Sequence, residues 1–518
     1  MFDTIIVGGG PVGLFLACEL RLAGANPVVL ERLPGASQAD KAHGLTGQVV
    51  RLMDHRGLYE RCGGSAPPMP APQFFFGGLT LPLDVLGADN PMYLLRINQR
   101  DLEGVLGERA AELGVDVRRG YEVRSFSQVQ DHVAVVVTGE DGSETTFHAR
   151  YVVGCDGARS VIRKQSGIGF PGFTDPHVVD RSALVGPIEH VHPRPGGRIA
   201  IDGLGEVPAS FYRTERGVLT IGGSPQQPII HTMEWEDQPA GTYPGPGSPM
   251  TMAEMEDSIE RVIGVRIALT EPADGSPTLS RRLCGRNTRL ADRYRDRRVF
   301  LAGDAAHVHS AAGGPGLNLA LQDAANLAWK LAAELHGWAP TDLLDTYESE
   351  RHAIGERVFM QTQAQTALMA PGSNVTALRE LFTELLGQRE NVQQIADLIA
   401  ASDIRYDMGD EHPAAPTGRF VPPLELTTED GRHRHLAELT HHARPLLLDA
   451  SHGTDLAAAA APWADRVLRI PADVKDTPAP ALLIRPDGYV AWAGSDPVGL
   501  QGALTRWFGS APDDRPAA

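Results

Sequence analysis

Residues 4–32 read TIIVGGGPVGLFLACELRLAGANPVVLER. An apolar run of strand length enters three glycines, a helical period follows, and a second apolar run ends at Glu31. No other stretch restricts the fold as much, because it fixes a strand, a tight turn, a helix and a second strand in order. Gly8 makes the turn, Gly10 lets backbone approach a pyrophosphate, and Gly13 lets the helix pack on the strand. Pro11 and Val12 open that helix, whose bare N–H groups and dipole favour phosphate. Glu31 stands where a carboxylate accepts from a ribose hydroxyl. The turn alone does not separate NAD from FAD.

Two later stretches repeat the plan of a buried strand ending in an acid. YVVGCDGARSVIRK (151–164) places Asp156 and Gly157 after an apolar run, with Ser160 and Arg163 beyond. RVFLAGDAAHVHSAAGGPGLN (298–318) places Asp304 after another, then small residues, then a long helical period. Asp304 can accept from a sugar-like polyol. Gly313, Gly314 and Gly316 let backbone lie against a flat ring, and the helix from about Leu317 aims its N-terminus there, where negative charge is stabilised. A reduced flavin carries such charge at its pyrimidine edge. One FAD answers all three sites: adenosine at the first, ribityl chain on Asp304, isoalloxazine against the glycines.

The chain has 518 residues, enough for two or three domains. Its net charge of −18 excludes a basic nucleic-acid face. The four cysteines (Cys18, Cys62, Cys155, Cys284) form no C-x-x-C pair, so neither a disulfide framework nor a metal site is expected, and a reducing cytoplasm fits. The apolar start lacks a basic n-region and is broken by glycine, so no signal peptide is expected. No apolar run is long enough to span a bilayer.

Along the chain, GGSAPPMPAP (63–72) predicts a crossing between domains and DQPAGTYPGPGSPM (237–250) an irregular loop. Residues 170–235 alternate in short runs, which predicts an antiparallel sheet. NLALQDAANLAWKLAAEL and LLDTYESERHAIGERVFMQTQAQTAL predict two long helices. Residues 406–423 break into proline, glycine and charge as a linker. Beyond it come a strand (PLLLDA), a helix (TDLAAAAAPWAD), a strand (RVLRI), a hairpin turned at Pro486-Asp487-Gly488 and a closing helix.

Through its three motifs the chain resembles single-component (class A) FAD-dependent aromatic hydroxylases of the para-hydroxybenzoate hydroxylase type, over residues 1 to about 395. The tail resembles the thioredoxin-like domain of the aromatic polyketide hydroxylases, here without C-x-x-C and so without redox chemistry of its own. The implied fold is α/β. A Rossmann-like FAD-binding domain (1–65, 96–168, 278–395) interleaves with a mixed or antiparallel-sheet substrate domain (66–95, 169–277), and 406–518 forms the tail. By resemblance Gly8, Gly10 and Gly13 match the pyrophosphate turn and Glu31 the ribose ligand, with Arg32 beside the adenosine. Lys41 stands where the family usually has an arginine near the flavin, Gln99 matches a glutamine touching the cofactor, and the Val123 backbone meets adenine. Asp156 belongs to a motif for both FAD and NADPH, Asp304 matches the ribityl ligand, and Gly316, Leu317 and Asn318 the backbone around the flavin pyrimidine. Departures are Ala311 for the usual proline, Pro315 for a frequent glutamine and Gln48 for a frequent arginine.

The resemblance implies that NADPH (or NADH) visits transiently and reduces FAD, that O2 adds as a flavin hydroperoxide, and that an activated phenol attacks its distal oxygen. The expected substrate is a small aromatic polyketide, in antibiotic or secondary-metabolite biosynthesis. No nucleic acid or membrane partner is expected, and the chain is a monomer or homodimer. No side-chain nucleophile is needed. Tyr212 and Arg213, on a predicted strand, are candidates to face the substrate. His307 and His309 read as packed or capping residues, with catalysis the alternative; QFFFGG (73–78) reads as sheet core, with an aromatic pocket lining the alternative; and Tyr347, Glu350 and Arg351 read as a brace for the flavin domain. Alternatives are Baeyer–Villiger or antibiotic-inactivating chemistry on the same fold, and a flavin-binding module without catalysis.

Overall fold

The computed structural model describes residues 1–35, 42–236, 250–273, 280–310, 313–451 and 453–511. The opening stretch folds as β1 (Phe2–Val7), α1 (Pro11–Leu22) and β2 (Pro27–Glu31). Ile5, Ile6, Val28 and Val29 are fully buried. Apolar residues at consecutive positions mark strands covered on both faces, as parallel strands are. The chain continues through β3 (Leu45–Thr46), α2 (Gln48–Asp54), a hairpin of β4 (Gln73–Phe76) and β5 (Leu79–Pro82), β6 (Leu94–Leu95) and α3 (Gln99–Glu112). Then come β7 (Asp116–Arg119), β8 (Glu122–Gln128), β9 (Val133–Thr138), β10 (Glu144–Gly154) and α4 (Val161–Gln165).

The next stretch is antiparallel: β11 (Gly172–Leu184), a small sheet of β12 (Val191–Arg194), β13 (Arg198–Ile201) and β14 (Gly205–Pro208), then β15 (Tyr212–Arg213), β16 (Gly217–Ser224) and β17 (Gln227–Trp235). After α5 (Met252–Ile263), β18 (Ser280–Leu290) leads to β19 (Arg295–Asp296), β20 (Val299–Leu301) and β21 (His307–Val308). Four helices follow, α6 (Pro315–Leu335), α7 (Asp345–Met369), α8 (Ser373–Leu385) and α9 (Arg389–Ala400). No helix among the described residues is long and apolar enough to cross a membrane.

The first sheet runs β19-β20-β10-β1-β2-β7, with β20, β10, β1, β2 and β7 parallel and β8–β9 attached at the start of β10. The carboxyl ends of β20, β10 and β1 therefore lie side by side. The second sheet runs β15-β16-β17-β11-β18-β21. Its last strand comes from the stretch after Asp304: Val308 pairs with Arg289 and His307 with Leu290. Backbone hydrogen bonds thus hold the edge of the substrate sheet against the predicted flavin loop.

Three assignments differ from expectation. β18 lies in the segment assigned from 278 to the flavin domain, yet it pairs along its length with β11 of the substrate sheet. Hydrogen bonding to β11, not chain position, decides its sheet. The hairpin β4–β5 joins neither large sheet. It builds a separate core with α8 and α9, where Phe76 stacks on Phe382 with centroids 5.8 Å apart, and α9 runs past the predicted boundary at 395.

The tail is a mixed sheet of β22 (Glu425–Thr428), β23 (His433–His435), β24 (Leu446–Asp449), β25 (Leu468–Val474), β26 (Ala481–Ile484) and β27 (Val490–Gly494), with α10 (Thr454–Ala460) and α11 (Pro497–Phe508) packed together. β24 and β25 are parallel and β26–β27 is the expected hairpin, in the thioredoxin-like manner. Residues 406–423 are irregular apart from an isolated bridge at Phe420, but Tyr406, Met408 and Val421 are buried, so the segment is a packed strap.

Candidate functional site

The site is built at the three adjacent strand ends. After β1, Gly8 has φ 109°, and a methyl group on it would lie 2.3 Å from Cys155 O at the end of β10. A methyl on Gly13 would lie 2.0 Å from Gly8 O. Both positions exclude a side chain, one by turn conformation and one by helix-to-turn contact. At Gly10 the same methyl would meet nothing within 4 Å among the described residues. The room lies in front of the turn, and no side chain caps the N-terminus of α1. A phosphate fits such a place.

At the end of β2, Glu31 Oε2 accepts from Gly9 N at 2.7 Å and Oε1 from Leu33 N at 2.8 Å. Each oxygen keeps a second lone pair for a ribose hydroxyl. Arg32 is exposed beside it. Val123 is buried in β8, which begins next to β2 through Tyr121 N donating to Glu31 O. Gln99 opens α3 and donates its N–H to Ala42 O, fixing the chain that leads to β3. Lys41 and Ala311 lie outside the described residues.

At the end of β10, Asp156 Oδ2 accepts from Val161 N and Ile162 N at the start of α4. Its Oδ1 is buried with no hydrogen-bond partner among the described residues, and burial raises the Asp156 pKa above the ordinary carboxylate value. Arg163, from the same motif, donates to Ala305 O at 2.8 Å and ties α4 to the third strand end. There Asp304 is exposed, and its carboxylate has no hydrogen-bond partner among the described residues. A methyl on Gly303 would sit 3.3 Å from Val12. The Asp304 turn and the phosphate turn therefore touch, and one elongated ligand can lie across both.

The loop before α6 is shaped by close contacts. A methyl on Gly313 would lie 2.8 Å from Gln365 Nε2, and one on Gly316 3.2 Å from His309. At Gly314, with φ 69°, a methyl would meet nothing within 4 Å among the described residues. Pro315 begins α6, and no side chain caps its N-terminus. Asn318 donates to Gly314 O at 2.8 Å and accepts from Thr46 N at 2.9 Å, so it clamps the loop to β3; Leu317 packs on the main core. Gln48, at the start of α2, accepts from Arg51. Open room at Gly10 and Gly314, the unpartnered Asp304 carboxylate and the orphaned Asp156 Oδ1 fit FAD in this crevice.

Under the loop lies a buried chain that sequence motifs did not reveal. His307 Nε2 is 2.6 Å from Asp323 Oδ2, Arg351 Nε donates to Asp323 Oδ1 at 2.8 Å, and Arg351 Nη1 donates to Tyr406 OH at 2.9 Å. Burial opposes ionisation of Asp323, but Arg351 and His307 outweigh it and hold the carboxyl below its ordinary value. His309, 6.1 Å from His307 ring to ring, is pushed down to about 4 by burial and by its neighbour. A neutral His309 keeps positive charge off this part of the loop.

Alternation separates the two catalytic candidates. Tyr212 pairs with Leu219 and packs on the α5 core, away from the flavin loop. Arg213 points the opposite way, but its guanidinium is engaged: Nε donates to Ala370 O, Nη1 to Thr376 Oγ1 and Nη2 to Gly372 O. It braces the junction of α7 and α8. The sheet face turned to the flavin loop instead carries Asp180, Ser182 and His231, with Arg286 reaching Thr366 of α7 and Thr366 Oγ1 3.3 Å from Ser310 Oγ. Phe75 and Phe211 meet at 5.2 Å on its rim. Strand alternation in 178–184 and 229–235 was the sequence signal for this face, but not for which way it pointed.

Residues 1–362 match the FAD binding domain family, and residues 414–511 match the aromatic-ring hydroxylase C-terminal family. The chain is 40% identical to 12-dehydrotetracycline 5-monooxygenase/anhydrotetracycline 6-monooxygenase of Streptomyces rimosus, over 98% of this chain and 99% of that one. It is 37% identical to a rifampicin monooxygenase of Rhodococcus hoagii, over 99% and 100%. The solved structure of OxyS anhydrotetracycline hydroxylase from Streptomyces rimosus superposes with a TM-score of 0.84 at 38% identity, covering 98% of this chain and 99% of that one. A chain that follows these enzymes from end to end, with room for a dinucleotide where its strands finish, belongs to the FAD-dependent aromatic-ring hydroxylases and is a monooxygenase.

Proposed function

We propose that this monooxygenase, using NADPH and O2, hydroxylates a polycyclic phenolic substrate of the aromatic polyketide type. The similarity to the tetracycline monooxygenase, 40% over nearly the whole of both chains, carries the reading. The sheet face turned to the flavin loop supports it: Asp180, Ser182, His231 and Arg286 offer polar groups on that face, and Phe75 and Phe211 meet at its edge. FAD, when bound and reduced, would supply the electrons that activate O2; the chain supplies position and exclusion of water. Asp304, Glu31 and the Gly8–Gly13 turn hold the cofactor, and Gly314 with the N-terminus of α6 borders its ring.

The similarity to a rifampicin monooxygenase favours a second reading, in which the phenol is an antibiotic and oxygenation inactivates it. Holoenzyme is incubated with a panel of multi-ring phenols. Substrate-stimulated NADPH oxidation with a product one oxygen heavier and all rings intact supports hydroxylation. A ring-expanded lactone would assign Baeyer–Villiger chemistry, and loss of antibacterial potency would assign inactivation. Tightly held FAD with no stimulated NADPH oxidation by any phenol would overturn the reading.

A further inference from the structure

We propose that Ser182, His231 and Asp180 form a proton relay that takes the proton from a substrate hydroxyl, with Ser182 Oγ as the atom that meets the substrate. The proposal rests on the phenolic substrate class inferred above.

The three residues come together by register. β11 and β17 are antiparallel neighbours in which Ser182 pairs with His231 and Asp180 with Met233. Arg181 and Ala183 between them face α5, where Arg181 bonds Glu254 and Ala183 joins the core. Thr232 also faces α5, 2.6 Å from Ser258. Strand alternation therefore turns Asp180, Ser182 and His231 to the other face, towards α7 and the flavin loop. Ser182 Oγ is 2.8 Å from His231 Nδ1, and His231 Nε2 is 3.5 Å from Asp180 Oδ1. Arg286 donates to both Asp180 oxygens, at 2.9 and 2.8 Å, and passes the network to Thr366 and Ser310.

The order of these groups gives a direction. Burial works against an ionised Asp180, but its bonds to His231 and Arg286 prevail and hold the carboxyl well below the usual range. An anionic Asp180 opposite Nε2 selects the tautomer with the proton on Nε2 and leaves the Nδ1 lone pair for the Ser182 hydroxyl. The Ser182 lone pairs are then free to accept from a substrate O–H. In the step, the substrate O–H bond breaks as its proton joins Ser182 Oγ, and the serine proton passes to His231 Nδ1. The products are a phenolate and an imidazolium facing Asp180, with no electrons gained or lost. A phenolate ring is the more nucleophilic partner for an electrophilic oxygen. The charged groups on this wall are Asp180 on β11 and Arg281 and Arg286 on β18; β16 contributes Thr220 and α7 contributes Thr366, both neutral.

The test uses holoenzyme and a phenol that wild type oxygenates. Bound phenol is titrated by its phenolate absorbance, and product formed per NADPH is followed against pH, in wild type, Ser182→Ala, Ser182→Thr and His231→Gln. Wild type should bind the phenolate below the phenol's own pKa of about 10. Ser182→Ala and His231→Gln should bind neutral phenol, lose product formation on the order of a hundredfold at neutral pH, and regain it as pH approaches that pKa. Ser182→Thr keeps the hydroxyl and should retain the wild-type profile. Unchanged phenolate absorbance and pH profile in Ser182→Ala and His231→Gln would overturn the relay while leaving the hydroxylase reading intact. Failure of wild type to oxygenate any phenol would overturn both.

Discussion

At the scale of single residues, the glycines of the first turn divide into those the fold requires and one, Gly10, that the fold does not require and that we propose faces the phosphates. A methyl on Gly13 collides with Gly8 O, whereas one on Gly10 meets nothing among the described residues. Gly13→Ala should therefore lower stability by about 1–3 kcal/mol, as overpacking does. Gly10→Ala should leave the melting temperature of FAD-free protein unchanged and reduce bound flavin, read from the absorbance of purified protein. Asp304→Ala should behave like Gly10→Ala, because the exposed carboxylate supports nothing else: stability within about 0.5 kcal/mol of wild type, with FAD lost on dialysis. His309 sets a pH dependence. Its folded pKa of about 4 lies below its ordinary value of 6.5, so the unfolded chain binds the extra proton between those values. Stability of FAD-free protein should fall as pH drops from about 6.5 towards 4, and urea titrations of His309→Gln should show a shallower fall.

At the scale of elements, Arg213 and Asp323 hold elements around the site together through protein contacts. Arg213 places three donors on the α7–α8 junction, next to the Phe75–Phe211 rim. Arg213→Ala should cost about 1–3 kcal/mol in denaturant unfolding and raise KM more than it lowers kcat; a loss confined to kcat would make it catalytic instead. Asp323 joins β21, α6 and α7 through His307 and Arg351. Its folded pKa lies below that of the unfolded chain, so its contribution is full above about pH 4 and is lost as pH falls through the folded value. Asp323→Asn should be less stable than wild type at neutral pH, and the two should converge under strong acid. Sequence motifs located the turn at Asp304, but they did not reveal that an aspartate on the following helix anchors the histidine beyond it. That pairing depends on how α6 returns along β21.

At the scale of the whole molecule, the tail is bound to the flavin domain through a buried charge cluster. Glu350 on α7 accepts from Arg485 at 2.7 and 2.8 Å and from Lys330 at 2.8 Å, and Arg485 also pairs with Asp487 in the hairpin turn. Trp329, Ala333 and Leu343 share a core with Tyr489, Trp507 and Phe508 of the tail. Removing one member strands the others without water. Arg485→Met should cost about 3–5 kcal/mol, and adding Glu350→Gln should restore part of it, measured by thermal unfolding of the holoenzyme. The three strand-end motifs, the long helices, the antiparallel stretch and the order of elements in the tail from β24 onward were determined by the sequence alone, because each is encoded within a contiguous run whose turn chemistry and periodicity act locally; the β22–β23 pair before it was not legible there. The tertiary structure alone decided which sheet β18 joins, that the hairpin at 73–82 leaves both large sheets, and that 406–423 is a packed strap. It also decided that Tyr212 turns to the α5 core while Ser182 and His231 turn to the flavin loop. Alternation puts neighbours on opposite faces, but which face meets the site is set by what packs on each side, and those partners lie tens to hundreds of residues away along the chain.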